Sequence, residues 1–230
     1  MSHNFLLNAI FHKLLKAMDY DLSKEEQARG CPHCGESLHQ ANYPRSPVGI
    51  PLEHREYYED RYSHCCYRCR IRTTSPSLRF FGRRWYPGPL FIWISSLLYG
   101  GVNKCCEQTE RVFGIILSKR TCKRWKGWWQ ESFKKTNFWK RASGIIFVEY
   151  LSGSFPEQLF SMYASVKDNC SLEKKSPEGR QAYFERQLTW VLRFLSPLTR
   201  YFREGDLRAE FASFFVTVHL PPKVLPQYIN

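Results

Sequence analysis

The chain has 230 residues, of which 43% are hydrophobic and 24% charged, so its composition is that of a folded protein rather than a disordered one. Its formal net charge of +13 favours a polyanionic partner, either nucleic acid or an acidic membrane surface. No apolar run reaches the ~20 residues that a membrane-spanning helix needs, and the N-terminus lacks the features of a secretion signal. We therefore expect a cytoplasmic protein with no membrane partner, associated with the nucleoid if it binds DNA, whose nine cysteines are reduced.

The predicted fold class is mainly α with a small β zinc ribbon, followed by a helix-turn-helix-like domain and a C-terminal helical segment. Residues 1–29 form the first predicted unit. Its apolar side chains recur with helical spacing on one face, and these are Leu6, Leu7, Ile10, Phe11, Leu14, Leu15 and Met18. This pattern indicates a helix packed on the rest of the protein, and a docking face for a partner is the alternative. Ser23 and Glu26 form a capping box that predicts a second, short helix ending at Gly30.

Two pairs of the form Cys-x-x-Cys lie in the second predicted unit, residues 30–86, where turns and short aromatic runs indicate β-hairpins. The pairs are Cys31 with Cys34 and Cys66 with Cys69. Both thiolates of one tight turn can bind the same cation, so two turns complete a tetrahedral zinc site. We favour structural Zn²⁺ over a disulfide or a redox pair because a redox motif needs only one cysteine pair.

The third ligand of this zinc site stays open in the sequence. Either Cys65 or Cys66 is close enough to pair with Cys69, and we choose Cys66 because it repeats the two-residue spacing of the first pair. The reserve ligands are His33, His39 and His64. Because a site of four thiolates has no open coordination position, we expect the metal to be structural rather than catalytic.

A run of arginines surrounds and follows the second cysteine pair. From Arg61 to Arg84 there are seven arginines and no acidic residue, interleaved with hydroxyl and aromatic side chains. Arginines and hydroxyls commonly bind phosphate oxygens. We therefore predict nucleic-acid contacts by Arg70, Arg72, Arg83 and Arg84. The alternative is a solvated basic surface that binds nothing.

The third predicted unit, residues 87–142, is helical. Helices are predicted near 89–100, where an apolar run indicates burial, and near 104–116 and 119–134. A turn at Leu117–Ser118, with Ser118 as the N-cap, makes the last two a helix-turn-helix-like pair. The second helix of this pair carries the basic residues expected of a DNA recognition helix, and these are Lys119, Arg120, Lys123, Arg124 and Lys126. The tryptophans at 125, 128 and 129 are predicted to form its buried side.

Residues 143–230 are predicted to be a helical region, and the sequence does not indicate its role. Metal-dependent phosphoryl transfer needs carboxylates that hold the metal ions. Glu149 follows the one apolar, β-like run in this region, whereas Asp168 and Asp206 lie in polar stretches. Because no nucleophilic triad or phosphate-binding loop accompanies them, we lean away from an enzyme. A diverged nuclease or transposase is one alternative function, and an RNA-binding zinc-ribbon protein is another.

Four motifs follow one another between residues 30 and 140: CPHCG, CYRCRIRTT, RFFGRRWY and LSKRTCKRWKGWW. In this order they resemble the zinc-ribbon plus helix-turn-helix front end of bacterial insertion-sequence transposases and transposase-like mobile-element proteins. The resemblance implies zinc at the four chosen cysteines and DNA contact by Lys119, Arg120, Lys123 and Arg124. Full transposases of this kind also carry a catalytic domain with three metal-binding carboxylates. Because we do not recognise that set here, we expect an accessory or regulatory protein of the element without its own catalytic domain, or a degenerate remnant. Its partners would be duplex DNA and either a transposase or recombinase or a second copy of the chain.

Overall fold

The computed structural model describes residues 4–81, 86–145, 155–166 and 176–199. Within these residues the chain is mainly helical with two small antiparallel sheets, as the sequence predicted. The α-helices are α1 (Ala9–Arg29), α2 (Gly88–Leu97), α3 (Val102–Phe113), α4 (Lys119–Gly127), α5 (Phe133–Lys135), α6 (Asn137–Ile145), α7 (Glu157–Val166) and α8 (Pro177–Leu195). The strands are β1 (Leu38–Gln40), β2 (Tyr43–Pro44), β3 (Asp60–Arg61), β4 (Ser63–Cys66) and β5 (Arg72–Thr74). Short 3-10 helices cover Asn4–Leu7, Leu52–Tyr58, Leu98–Gly100 and Ser196–Thr199, and a π-helical turn covers Trp128–Ser132.

Helix α1 is continuous, so the predicted division into two N-terminal helices is wrong. It begins at the N-cap Asn8, whose side chain accepts hydrogen bonds from the amides of Ile10 and Phe11. Ser23 lies inside the helix and is buried, and its Oγ lies 3.1 Å from Nε2 of His64. The hydroxyl that the sequence assigned to a helix cap therefore makes a tertiary contact instead.

The apolar stripe predicted from Leu6 to Met18 is divided between core and solvent. Phe11 and Leu15 are buried in the main core, whereas Leu7, Ile10 and Leu14 remain 60%, 79% and 47% exposed. The helix therefore packs on the protein by only part of the apolar surface that its sequence offers.

The main hydrophobic core surrounds α2, which is buried on every side over Gly88–Ser95. Helices α3, α4 and α8 pack against it, and α7 packs on α8. Gly88 is required here because a Cβ at this position would lie 2.5 Å from the carbonyl oxygen of Leu78. The burial predicted for this apolar helix is confirmed.

Aromatic side chains from α4 and the π-helical turn close this core. The ring centroids of Trp125 and Trp129 lie 4.9 and 5.9 Å from that of Phe91. Both tryptophans are buried, as predicted, while Trp128 is half-buried. The buried side of α4 is thus fixed to α2, which leaves the opposite side of α4 facing outward.

The larger sheet has three antiparallel strands in the order β1–β4–β5. Leu38 pairs with Cys66, and Ser63 pairs with Thr74. Strands β2 and β3 form a separate two-stranded sheet. None of the described helices is both long enough and apolar enough to cross a membrane.

Candidate metal centre and basic surface

The four cysteines chosen from the spacing lie together. One sulfur from each of Cys31, Cys34, Cys66 and Cys69 lies within 4.8 Å of the other three. The Sγ atoms of Cys31 and Cys69 are 3.5 Å apart, as are those of Cys34 and Cys66. Thiolates bound tetrahedrally at about 2.3 Å from zinc would be about 3.8 Å apart. The cluster therefore has the dimensions of a site that could hold one metal ion.

The first cysteine turn folds back on itself through two backbone hydrogen bonds. The amide of Cys31 donates to the carbonyl of Glu36, and the amide of Gly35 donates to the carbonyl of Cys31, both at 2.8 Å. Gly35 has a φ of 72°, in the left-handed region that glycine adopts without strain. A Cβ on Gly35 would touch nothing within 4 Å, so the backbone angle alone favours glycine here.

The second cysteine turn repeats this pattern. The amide of Cys66 donates to the carbonyl of Ile71 at 3.0 Å, and the amide of Arg70 donates to the carbonyl of Cys66 at 3.2 Å. Arg70 occupies the position that Gly35 has in the first turn, and its φ is 61°. A left-handed conformation costs a residue with a side chain about 1–2 kcal/mol. The two turns thus share one geometry, although only one of them has the favoured glycine.

The three-stranded sheet brings the two turns into contact. The first turn leads into β1 and the second leaves β4, and these neighbouring strands place Leu38 opposite Cys66. Leu38 packs with Cys31, Cys66 and Cys69 in a small hydrophobic cluster of its own. Its carbonyl accepts a 3.0 Å hydrogen bond from the side chain of Gln27, which connects this sheet to α1. The proximity of the four sulfurs therefore follows from strand pairing.

Cys65, the alternative ligand, lies outside the cluster. Successive side chains of a strand point to opposite faces, and the Sγ of Cys65 lies 3.5 Å from the carbonyl oxygen of Arg70. Among the reserve ligands, His64 is buried against Ser23, while His33 and His39 are exposed. None of these residues belongs to the group of four sulfurs.

The thiols of the cluster differ in acidity. Burial opposes the ionisation of Cys66. The amide of Cys69, 3.4 Å from the Cys66 sulfur, and the neighbouring thiols donate hydrogen bonds to it, and together these bonds lower the pKa of Cys66 to about 6. The backbone of Ile71 favours ionisation of Cys69, yet burial and the adjacent thiols raise the pKa of Cys69 to about 12. A cation would have to displace the remaining protons, so metal binding is expected to weaken as the pH falls.

The turn between α3 and α4 differs from the predicted Leu117–Ser118 turn. Helix α3 ends at Phe113, and Gly114 follows with a left-handed φ of 64°. The connection therefore spans residues 114–118 and starts with its glycine. Ser118 is the N-cap of α4, as predicted, and its Oγ accepts a 3.1 Å hydrogen bond from the amide of Thr121.

Helix α4 has one buried and one basic side. Cys122 and Trp125 are buried, and Lys126 is half-buried. The outward side carries four exposed basic residues, which we call the α4 basic surface: Lys119, Arg120, Lys123 and Arg124. In the part of the chain that the structure describes, none of these four forms an ion pair. The helix itself contains no acidic residue.

The other predicted nucleic-acid contacts are only partly described. Arg70 and Arg72 are exposed beside the second cysteine turn. Arg83 and Arg84 lie outside the described residues, as do the candidate carboxylates Glu149, Asp168 and Asp206.

Two arginines of the same run are buried instead, which was not predicted. Arg79 is fully buried, and its Nε donates to Oδ2 of Asp19 at 2.8 Å. Asp19 is also fully buried and accepts hydrogen bonds from the amide of Leu78, at 2.6 Å, and from the hydroxyl of Ser77. Asp19, an acid on the apolar side of α1, was the signal available in the sequence, because a buried carboxylate needs such a partner.

Arg61 is the second buried arginine. It donates to the carbonyls of Ser75, Pro76 and Thr199, and so connects β3 to the segment after β5 and to the end of the described C-terminal helices. Burial lowers the pKa of Arg61 to about 10, an effect that the Asp19 carboxylate partly offsets. Both arginines therefore hold the fold together and are not available to a ligand.

No protein-family model matches the chain, and neither the curated proteins nor the solved structures contain a match. The resemblance to transposases therefore rests on the sequence motifs.

Proposed function

We propose that the protein is a zinc-containing DNA-binding protein that contacts duplex DNA through the α4 basic surface. The α4 basic surface carries the proposal, because its four exposed cations have no acidic partner among the described residues. Phosphates of a duplex supply the missing negative charge, and the released counterions supply free energy. The burial of Cys122 and Trp125 fixes the direction in which this surface faces.

The N-terminal end of α4 supports an anionic ligand independently of the net charge. The positive end of a helix dipole disfavours cationic side chains in the first turn, yet Lys119 and Arg120 occupy that turn and no acid accompanies them. A phosphate placed there would contact both the side chains and the end of the helix. Arg124, one turn further along, would then lie within reach of a base edge or the next phosphate.

Zinc is the ion we assign to the cysteine cluster. Soft thiolate ligands select zinc over magnesium or calcium, and four of them form the closed tetrahedral site of a structural ion. Cys31, Cys34, Cys66 and Cys69 would hold this ion and fasten the β1–β4–β5 sheet. The ion would stabilise the fold and would not take part in a reaction on DNA. We further propose, on the motif order alone, an accessory or regulatory role beside a transposase or recombinase.

RNA binding is the second candidate, and the surface beside the second cysteine turn favours it. Tyr67 is 69% exposed, and the guanidinium of Arg70 lies 5.8 Å from its ring centroid. Arg72 is exposed nearby in sequence. An exposed aromatic ring with arginines is suited to stacking on unpaired bases.

The two candidates are separated by measuring the affinity of the zinc-loaded chain for a duplex DNA and for a single-stranded RNA of the same sequence. One variant carries alanine at the four residues of the α4 basic surface. A control variant with the same change in charge carries alanine at four exposed basic residues elsewhere: Lys13, Lys24, Arg55 and Arg180. We expect tighter binding to the duplex, lost in the α4 variant and retained in the control. Preference for RNA, lost on replacing Tyr67 and Arg70, would favour the second candidate.

A further inference from the structure

Three cysteines outside the metal cluster meet where α3 packs on α4. The sulfurs of Cys106 and Cys122 are 3.6 Å apart, although 15 residues separate them in the chain. Cys105, adjacent to Cys106, also interacts with the thiol of Cys122. Neither the zinc site nor the DNA contact uses these thiols.

The three thiols differ in accessibility. Cys105 and Cys122 are fully buried, and the Cys105 thiol donates to the carbonyl of Ile94 at 3.5 Å. Cys106 is half-buried, so a small molecule can reach it from solvent. The site therefore has one accessible thiol in contact with one buried thiol on a different helix. This arrangement suits a two-step thiol exchange.

We propose that Cys106 and Cys122 are a thiol modification site, which a small-molecule disulfide such as glutathione disulfide converts reversibly into a disulfide bond between α3 and α4. The Cys106 thiolate attacks one sulfur of the small disulfide, forms a mixed disulfide and releases one thiol. The Cys122 thiolate then attacks the sulfur of Cys106 and releases the second thiol. The protein loses two electrons and two protons, which the two released thiols carry.

The two sulfurs are already close to each other. A disulfide has a sulfur separation of about 2.05 Å, so the two sulfurs approach by about 1.5 Å. Burial, the largest effect, raises the pKa of Cys106, and the hydrogen bond with Cys122 raises it further. We therefore expect exchange to be slow at neutral pH and faster as the pH rises, because the thiolate is the reacting species.

The disulfide would act on the helix that carries the basic surface. Cys122 lies between Lys119 and Arg124 along α4, so drawing it toward α3 repositions that surface. This consequence for DNA affinity rests on the proposed function, whereas formation of the disulfide does not.

The test treats the zinc-loaded full chain with glutathione disulfide, alkylates the remaining thiols and maps the peptides by mass spectrometry, with zinc measured on the same sample. We expect a Cys106–Cys122 crosslink that dithiothreitol reverses. We also expect a rise in the midpoint of thermal unfolding on the order of 5–10 °C, because the bond closes a loop of this length. The Cys106→Ser variant should show neither effect, while Cys65→Ser, which alters a thiol outside both clusters, should show both.

Absence of the Cys106–Cys122 crosslink in the wild-type chain, with zinc retained, would overturn the proposal. A crosslink of Cys105 to Cys122 in its place would do the same. A crosslink in a chain that binds no duplex DNA in either redox state would leave this inference standing and remove the proposed function.

Discussion

Two basic regions of the chain differ in how far their cations are exposed. In the segment from Arg61 to Arg79, the arginines at both ends are 1% and 0% exposed and bond to the protein itself. In α4, the four residues of the basic surface are exposed and form no ion pair within the described residues. Both regions are rich in basic residues. Composition and net charge therefore do not indicate which of these side chains are exposed and available to a ligand.

The difference lies in the location of the partners. Asp19 lies 60 residues before Arg79 in the chain. The two side chains meet because α1 packs against β1 and the 3-10 helix Leu52–Tyr58. Helix α4 buries its apolar side against α2, and its cations are on the other side because of helical periodicity. A basic run is therefore evidence of a binding surface only when no acid from another element reaches it.

The largest effect should come from removing one of the proposed zinc ligands, which lies in the first region. We expect Cys66→Ser to lose the bound zinc and the sheet that carries it, since binding of a structural zinc contributes about 10–16 kcal/mol to folding in small zinc domains. The neighbouring Cys65→Ser should retain both. Zinc content and circular dichroism of the two purified variants check this, and a Cys66→Ser protein with one zinc per chain and unchanged stability would disprove the ligand set.

The next largest effect should come from breaking the buried ion pair. Arg79→Leu removes the cationic partner of the buried Asp19 side chain, which should lower the free energy of unfolding by about 3–5 kcal/mol. The matched change on the exposed surface, Arg120→Leu, should alter it by no more than about 0.5 kcal/mol. Urea unfolding of the zinc-saturated proteins measures both. Equal losses in the two variants would remove the distinction between the regions.

A smaller effect, on binding rather than stability, is expected for Arg124→Ala. We predict a loss of about 1–3 kcal/mol in duplex affinity if Arg124 contacts a base, and a similar loss for every sequence if it contacts only phosphate. The free energy of unfolding should not change, because the side chain is exposed. Titrations with several duplexes test this, with Arg180→Ala as the control, and undiminished affinity for all of them would exclude Arg124 from the interface.

The smallest effects on stability are expected at the left-handed residue of each cysteine turn, which is Gly35 in the first turn and Arg70 in the second. Gly35→Ala should lower the free energy of unfolding by about 1 kcal/mol, because alanine is strained at a positive φ. Arg70→Gly should raise it by up to about 1 kcal/mol by relieving the same strain. Chemical unfolding with excess zinc measures both changes. Changes of the same sign would show that the turns are not equivalent.

Local patterns predicted a large part of this structure. Helical periodicity indicated most of the helices and the buried side of α4. The two-residue spacing within each Cys-x-x-Cys pair selected the four cysteines whose sulfurs lie together. Each of these signals depends on residues within a few turns of one another. The position of the turn between α3 and α4 was a local error, whereas two other features that were wrong or missed depend on distant residues. Ser23 contacts His64 rather than starting a helix, and Arg79 is buried by Asp19.

The central claim is tested most directly by the dependence of duplex-DNA affinity on salt concentration. We expect the logarithm of the association constant to fall steeply with the logarithm of salt concentration. For the variant with alanine at the four residues of the α4 basic surface, the slope should be smaller by about 2.7–3.6, because three or four of these residues contact phosphates and each contact contributes about 0.9. A variant that binds with the wild-type slope and affinity would show that α4 does not contact the phosphates.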